Sequence, residues 1–144
     1  MAQVSIREDI LKLTPEGPRL VGSRCKGCGN HAFPFVKGCA RCTGTEMERV
    51  VLGTRGKLWA WTIQGFPPKA PPYLGETDPT KFRPYGVGYV ELAGQVKVEA
   101  RLTEADPRKL QTGLPMEHTT VPLSKDKDGN EIVTFAFAPI GQGA

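Results

Sequence analysis

Two CxxC pairs constrain this chain more than any other feature of its sequence. They supply all four cysteines, with ten residues between the pairs, and the cysteines are Cys25, Cys28, Cys39 and Cys42. Each CxxC turn directs two sulfurs at one point, and two such turns facing each other complete a tetrahedral four-thiolate site. The spacing therefore predicts a zinc ribbon. Its Zn²⁺ is expected to be structural, because four thiolates leave no coordination position for a catalytic water.

Two other arrangements use the same four cysteines. A pair of disulfides needs an oxidising compartment, but residues 1–10 carry Arg7, Glu8 and Asp9 and lack the continuous apolar run of a secretory signal. A one-iron electron-transfer site also takes four thiolates, but the short spacer and the lack of a second cofactor motif favour zinc. We therefore expect a zinc-containing cytoplasmic protein.

Length and composition favour a small metal-held module joined to a β domain. The 144 residues accommodate a ribbon and a domain of roughly 100 residues. The 17 glycines and 13 prolines lie between short apolar runs, a pattern typical of many strands and turns. No apolar run approaches the roughly 18 to 20 residues of a membrane-spanning helix, so no membrane association is expected. The net charge of +4 suits an anionic ligand as well as nucleic acid.

The N-terminal part divides into two predicted units. Residues 1–20 form an N-terminal docking segment, predicted to be helical because Ser5 could cap a helix whose apolar residues Ile6, Ile10, Leu11 and Leu13 have roughly helical spacing. The segment could dock on its own domain or on a partner. Residues 21–46 form the zinc ribbon, and its apolar residues 33–36 could likewise face a partner or pack on the chain's own barrel.

Residues 47–144 are predicted to form a mainly β domain. The apolar patterns indicate strands at 47–52, 56–63, 85–92, 95–102, 116–123 and 132–138, with a turn at Ala93–Gly94 and one short helix within 103–110. This order predicts a five-stranded OB-fold barrel. Alternation in the second strand places Leu58, Ala60 and Thr62 on one face and Trp59, Trp61 and Ile63 on the other. We expect both tryptophans to pack in the core rather than to form a ligand platform.

A long loop from Gln64 to Pro84 interrupts the strand pattern. Long connections inside compact domains are usually functional or mobile. This one combines basic with aromatic residues, namely Lys69, Lys81, Arg83, Phe66, Tyr73 and Phe82. The alternative interpretation is a solvated, proline-stiffened loop without a special role.

Several motifs in this order resemble the DUF35 family, whose members combine a rubredoxin-like zinc ribbon with an OB-fold and associate with acyl-CoA enzymes. The motifs run from Leu20–Arg24 into the first CxxC, through Phe33–Pro34, Gly56–Thr62, Pro84–Leu92 and Asp106–Leu110, to Phe135–Pro139. The resemblance covers nearly the whole chain. It implies a non-catalytic accessory subunit of a hetero-oligomer, which bridges subunits and helps to bind coenzyme A beside a thiolase-like catalytic subunit or a MaoC-like hydratase or aldolase. One family member of similar length belongs to a thiolase complex of toluene degradation.

Acyl-CoA as a shared ligand agrees with the composition of the loop. Coenzyme A presents an adenine ring, a 3′-phosphate and a pyrophosphate, which call for stacking surfaces and fixed positive charge together. We therefore predict that Lys69, Lys81 and Arg83 bind the phosphates. The predicted adenine contacts are Phe66, Tyr73 and Phe82.

Two other classes of function are possible for this combination of modules. Ribbons and OB barrels can bind single-stranded nucleic acid through aromatic platforms in a basic groove. Here the aromatic residues are not interleaved with a dense basic track, which disfavours nucleic acid. A stand-alone enzyme is also disfavoured, because the only histidines are His31 and His118 and all four cysteines belong to the ribbon. We expect no catalytic residues in this chain.

Overall fold

Ten β-strands form nearly all of the regular structure in the computed structural model, which describes residues 2–92 and 94–140. The strands are β1 (Gln3–Ser5), β2 (Leu11–Thr14), β3 (Gly17–Cys25), β4 (His31–Ala32), β5 (Met47–Val51), β6 (Arg55–Gln64), β7 (Tyr85–Glu91), β8 (Lys97–Leu102), β9 (Pro115–Lys125) and β10 (Glu131–Pro139). Over these ranges, helix is confined to one 3-10 turn at Pro107–Lys109, inside the predicted helical stretch 103–110. No helix in the described part of the chain has the length and apolar character needed to cross a membrane.

Strands β6 to β10 close into a five-stranded barrel. β6, β7 and β8 form an antiparallel meander, β8 pairs in parallel with β10, β10 pairs with β9, and β9 returns to β6. This order is that of the OB-fold, so the predicted fold is confirmed. Of the predicted turn between β7 and β8, Ala93 lies outside the described residues, and Gly94 has a φ of 73°.

Each barrel strand contributes a fully buried apolar side chain to one core. These residues are Leu58, Val90, Val98, Met116 and Phe137. Inward and outward residues alternate along the strands because successive side chains of a strand point to opposite faces. At Gly88 an added Cβ would lie 2.7 Å from the carbonyl oxygen of Ala60, so the inner face of β7 has no room for a side chain there.

A β-bulge in β6 changes the predicted positions of the tryptophans. The pairing of β6 with β7 shifts between Leu58 and Ala60, which leaves Trp59 as an extra residue. After the bulge, Trp61 and Ile63 pack against the core on the same side as Leu58. Trp59 is instead 50% exposed. The prediction of core packing is therefore confirmed for Trp61 and wrong for Trp59, as is the assignment of Leu58 to the face opposite Trp61.

The predicted N-terminal helix is wrong. β1 pairs in parallel with β10, next to the part of that strand that pairs with β8, and β2 and β3 form a hairpin. The Ser5 hydroxyl donates to the carbonyl of Leu11 at 2.7 Å instead of capping a helix. Extended pairing satisfies the backbone donors of the segment and fully buries Leu11. The segment thus packs on its own domain, whereas its role towards a partner stays a prediction.

The ribbon continues from the long strand β3, which ends at Cys25 and pairs with both β4 and β5. One part of its apolar stretch packs on the barrel, since the ring of Phe33 meets Phe135 edge-on at 5.5 Å. Arg49 lies over the ring of Phe35 at 4.3 Å. Val36 remains exposed. The apolar stretch 33–36 therefore packs partly on the barrel and partly faces solvent.

Candidate metal centre and ligand cleft

The four cysteine sulfurs converge on one point at the tip of the ribbon. All four Sγ atoms lie within 4.8 Å of one another, and the pairs Cys25–Cys42 and Cys28–Cys39 are each 3.5 Å apart. These separations exceed the ~2.05 Å of a disulfide bond. They approach the roughly 3.8 Å between sulfurs that Zn–S bonds of ~2.3 Å give in a tetrahedron. The predicted cysteines therefore form a cluster that could hold a metal ion such as zinc.

Backbone groups around the sulfurs favour thiolates. The amides of Arg41 and Cys42 point to the Cys39 sulfur at 3.3 and 3.4 Å, and the pKa of Cys39 falls to about 6, chiefly through the Cys42 amide. The Gly44 amide favours the thiolate of Cys42, but the three neighbouring sulfurs raise its pKa to about 11. Four thiolates at this spacing need a cation to replace the shared protons, and the chemistry of the cluster therefore fits a divalent metal.

The loop between β6 and β7 is held by a short turn that positions its basic residues. The Asp78 carboxylate accepts from the backbone amide of Thr80 at 2.9 Å and from its hydroxyl at 2.8 Å, and the amide contact contributes most to lowering the pKa of Asp78. The amides of Lys81 and Phe82 donate to the Asp78 carbonyl at 2.9 Å. Residues 81–83 consequently leave the turn beside the barrel wall.

Two clefts lie between this loop and the outer face of the barrel. The first has a volume of about 330 Å³ and the second about 250 Å³. Four of the six predicted ligand residues line the second cleft, namely Tyr73, Lys81, Phe82 and Arg83. The other two, Phe66 and Lys69, line neither cleft, and Phe66 projects into solvent with 71% of its surface exposed.

The structure adds Tyr85 and Arg101 to this surface, which sequence reasoning missed. Arg101 on β8 lies over the Tyr85 ring at 3.9 Å, and Phe82 meets the same ring at 5.9 Å. Burial raises the pKa of Tyr85, with a smaller contribution from Tyr73. Both residues occupy outward positions in their alternating strands. The alternation that places each residue on the outer face can be read from the sequence. It indicates that the two residues share a site only once the pairing of β7 with β8 is known.

A second cation–ring pair lies farther along the same face. Lys97 on β8 places its Nζ 4.0 Å from the Trp59 ring, and Trp59 meets Tyr89 edge-on at 6.0 Å. Neither Lys97 nor Trp59 lines the two clefts beneath the loop. The outer face thus carries two similar pairs, of which one faces the clefts.

Neither of the two histidines considered in the sequence belongs to the cysteine cluster or lines the two clefts. His118 is buried where β9 meets β3, with Nδ1 3.3 Å from the Pro18 carbonyl oxygen. Its Nε2 has no hydrogen-bond partner within the described ranges. Burial lowers the pKa of His118 to about 4. His31 lies in β4, paired with Arg24 of β3.

Fold and site together define a class of protein, in which a ribbon with four clustered cysteines that could hold a metal ion is joined to an OB-fold barrel with a basic, aromatic cleft. A family model described as "ChsH2, C-terminal OB-fold domain" matches residues 49–121, and this chain belongs to that family, the OB-fold domains of DUF35 proteins.

Relatives match over most of the chain. It is 30% identical over 134 residues to "Benzoylsuccinyl-CoA thiolase subunit BbsA" of Thauera aromatica, covering 92% of this chain and 85% of that protein. It is 29% identical over 123 residues to a "DUF35 domain-containing scaffold protein" of Pyrococcus furiosus, covering 85% and 84% of the two chains. Among solved structures, the "Ltp2-ChsH2(DUF35) aldolase" shares the fold with a TM-score of 0.62 at 23% identity, covering 84% of each chain.

Proposed function

We propose that this protein is a non-catalytic accessory subunit of a thiolase-type complex that forms or cleaves carbon–carbon bonds in acyl-CoA substrates. The observation that carries the proposal is the similarity, over 92% of the chain, to a protein named as a thiolase subunit. The scaffold name of the archaeal relative supports the same role. The partner is then a thiolase-like catalytic subunit in a hetero-oligomer.

Zn²⁺ is the metal that we propose for the ribbon, where it has a structural role. Cys25, Cys28, Cys39 and Cys42 would hold it in a closed shell, and binding of structural zinc is worth roughly 10 to 16 kcal/mol in small peptides. The two-residue strand β4 has little apolar surface with which to stabilise this segment. Arg41 donates through Nη2 to the Cys28 carbonyl at 2.8 Å, which places a positive charge beside the thiolates.

The ribbon is our proposed bridge to the catalytic subunit. Val36 exposes apolar surface at the ribbon, three residues after Phe33, whose ring packs against Phe135 of the barrel. An apolar side chain that the chain's own core does not cover is a common element of subunit interfaces. The clefts beneath the loop supply the proposed contact with the coenzyme A part of the shared acyl-CoA ligand.

Isolation of the native protein followed by mass spectrometry of the associated chains tests this function. We expect a thiolase-like subunit in stoichiometric amount. Recovery of ribosomal proteins, polymerase subunits or nucleic acid instead would support the single-strand-binding alternative and overturn the proposal. If the complex assembles, coenzyme A-dependent cleavage of benzoylsuccinyl-CoA tests whether it serves toluene degradation.

A single substitution tests whether binding of the catalytic partner depends on the zinc of the ribbon. Cys39→Ser removes one ligand, so zinc content and recovery of the catalytic partner are expected to fall together. Lys26→Gln is the matched control, because Lys26 is exposed between the first two cysteines and is not a ligand. Loss of zinc from Cys39→Ser with unchanged recovery of the partner would contradict a role for the ribbon in docking.

A further inference from the structure

Strand β5 leaves one edge of the ribbon open. It pairs with β3 on one side, and no other strand in the described ranges pairs with it. The amide of Leu52, directly after β5, donates to the Leu20 carbonyl at 2.9 Å. Backbone groups alternate in direction along a strand. Those of Met47, Arg49 and Val51 therefore point away from β3, to the open edge.

One face of the sheet beside this edge carries apolar surface and an unpaired cation. Val51 is 57% exposed and Val36 is 38% exposed. The Val36 amide donates to the hydroxyl of Ser23, which is the cross-strand neighbour of Arg49. Arg49 lies over the Phe35 ring and forms no ion pair in the described part of the chain. The ring holds this cation on the face of the sheet, so the backbone groups at the edge stay accessible.

We propose that the open edge of β5 binds an extended segment of the catalytic partner by antiparallel strand addition. The segment carries an apolar, an acidic and an apolar residue at alternate positions. In strand addition, backbone hydrogen bonds supply affinity and alternate side chains supply specificity. The proposal deepens the proposed function, on which it rests for the identity of the partner, because it gives the bridging ribbon a specific mode of recognition.

The side chains of β5 define the sequence pattern of the added strand. Met47, Arg49 and Val51 alternate along β5 and therefore share one face. Residues directly opposite each other in an antiparallel pair have neighbouring side chains, and opposite charges in such a pair attract. The residue opposite Arg49 is therefore expected to be Asp or Glu. Those opposite Met47 and Val51 are expected to be apolar.

A second copy of this chain fits the edge less well than an acidic strand does. The two-fold pairing of β5 with its own copy that joins all outward groups places Met47 opposite Val51 and Arg49 opposite Arg49. Like charges directly opposite each other destabilise a strand pair. The charge of the edge thus favours a different chain as its partner.

Nuclear magnetic resonance titration of the full-length, zinc-loaded chain tests the edge with a synthetic peptide. The probe has valine, glutamate and valine at alternate positions, with threonine between and around them. We expect saturable binding that slows hydrogen exchange of the Arg49 and Val51 amides and leaves the Val50 amide, which faces β3, unchanged. A peptide with lysine in place of glutamate should bind about threefold more weakly or worse. Arg49→Met should abolish that preference.

Proline at the edge separates the backbone contribution from that of the side chain. Val51→Pro removes an outward amide, and an edge strand tolerates proline where its N–H faces solvent. Val51→Ala is the matched control, because it removes apolar surface but keeps the amide. We expect Val51→Pro to weaken peptide binding about fivefold or more relative to Val51→Ala. Equal thermal unfolding temperatures for the two variants would establish that both are folded.

Four results would overturn the proposal. They are absence of binding up to millimolar peptide, binding without protection of the Arg49 and Val51 amides, equal affinities for the glutamate and lysine peptides, and self-association through β5. In the complex recovered with the native protein, the same two amides should be protected. A complex that leaves them unprotected refutes strand addition alone. A chain that binds the peptide but recovers no thiolase-like partner refutes the proposed function alone.

Discussion

Gly29 and Thr43 occupy equivalent positions in the two CxxC turns. Each follows the second cysteine of a CxxC pair, and each donates its backbone amide to the carbonyl of the first cysteine, at 2.8 Å for Gly29 and 2.9 Å for Thr43. Both have left-handed backbone conformations, with φ of 80° and 63° respectively. Glycine adopts this conformation without strain, whereas a β-branched residue does not. The two turns therefore have the same backbone geometry, but only the second is strained, at Thr43.

Thr43→Gly is expected to stabilise the metal-loaded chain by about 1 kcal/mol, since a left-handed conformation costs a residue with a Cβ roughly 1 to 2 kcal/mol. Gly29→Ala should destabilise it by a similar amount, which is the cost of the left-handed backbone conformation. No steric cost adds to it, because the new Cβ would make only an ordinary contact with Arg24, at 3.7 Å. Thermal or denaturant unfolding measures both changes. Thr43→Ala is the control that removes the hydroxyl but keeps the strain. Equal stabilisation by Ala and Gly would show that backbone strain is not the cause.

The parts of the candidate sites that depend on local spacing could be predicted from the sequence, and the parts that depend on strand pairing could not. Cysteine spacing is a local constraint, because two tight turns can place four sulfurs together only in a few ways, and it predicted the cluster of four cysteines. The clefts depend instead on which outward residues of β7 and β8 face the loop. Arg101 lies 18 residues beyond Arg83 in the chain, and nothing local connects the two before the strands pair. Composition identified the loop but not its individual contacts.

The tryptophans of β6 offer a direct test of the bulge. Trp61 packs against the core while Trp59 is 50% exposed. Trp61→Ala is therefore expected to cost about 3 kcal/mol of unfolding free energy, as large-to-small changes in a core do. Trp59→Ala should cost about 1 kcal/mol, from lost contacts with Tyr89 and Lys97. Comparable losses from urea denaturation of the two variants would contradict the bulged register.

The N-terminal segment shows why apolar spacing alone misassigned its secondary structure. Short apolar runs fit either a helix or paired strands, and the outcome depends on the partners that the rest of the chain provides. Here β10 offers a strand edge to β1, and β3 offers one to β2. The OB-fold itself was predictable because six well-separated strand patterns and their turns agree with one another.

Removal of the metal should separate the ribbon from the barrel. Strands β6 to β10 close through their own hydrogen bonds around one core, whereas the proposed metal would hold the turns at Cys25 and Cys39 together. With a chelator, hydrogen exchange is expected to accelerate across residues 25–47, while Val90 and Val98 stay protected. Re-addition of Zn²⁺ should restore protection. Simultaneous loss of protection in both regions would show that ribbon and barrel unfold as one unit.

His118 is expected to make folding depend on pH between about 4 and 6.5. Its folded-state pKa of about 4 lies below the 6.5 of a free histidine, with burial as the main cause. Between these values the unfolded chain binds a proton that the folded chain does not, so stability is full above pH 6.5 and falls as the pH is lowered. The contribution lost by pH 4 is about 3 kcal/mol.

Unfolding free energies measured across this range for the wild type and His118→Gln test the assignment. Carboxylates and metal-binding thiolates contribute to the acid slope of both chains, so the informative quantity is the difference between their profiles. That difference should change steadily from pH 6.5 to pH 4 and stay constant above pH 7. Gln cannot be protonated in this range, and its amide can still donate a hydrogen bond towards the Pro18 carbonyl. A pH-independent difference would mean that His118 is protonated equally in both states and that its burial does not govern acid stability.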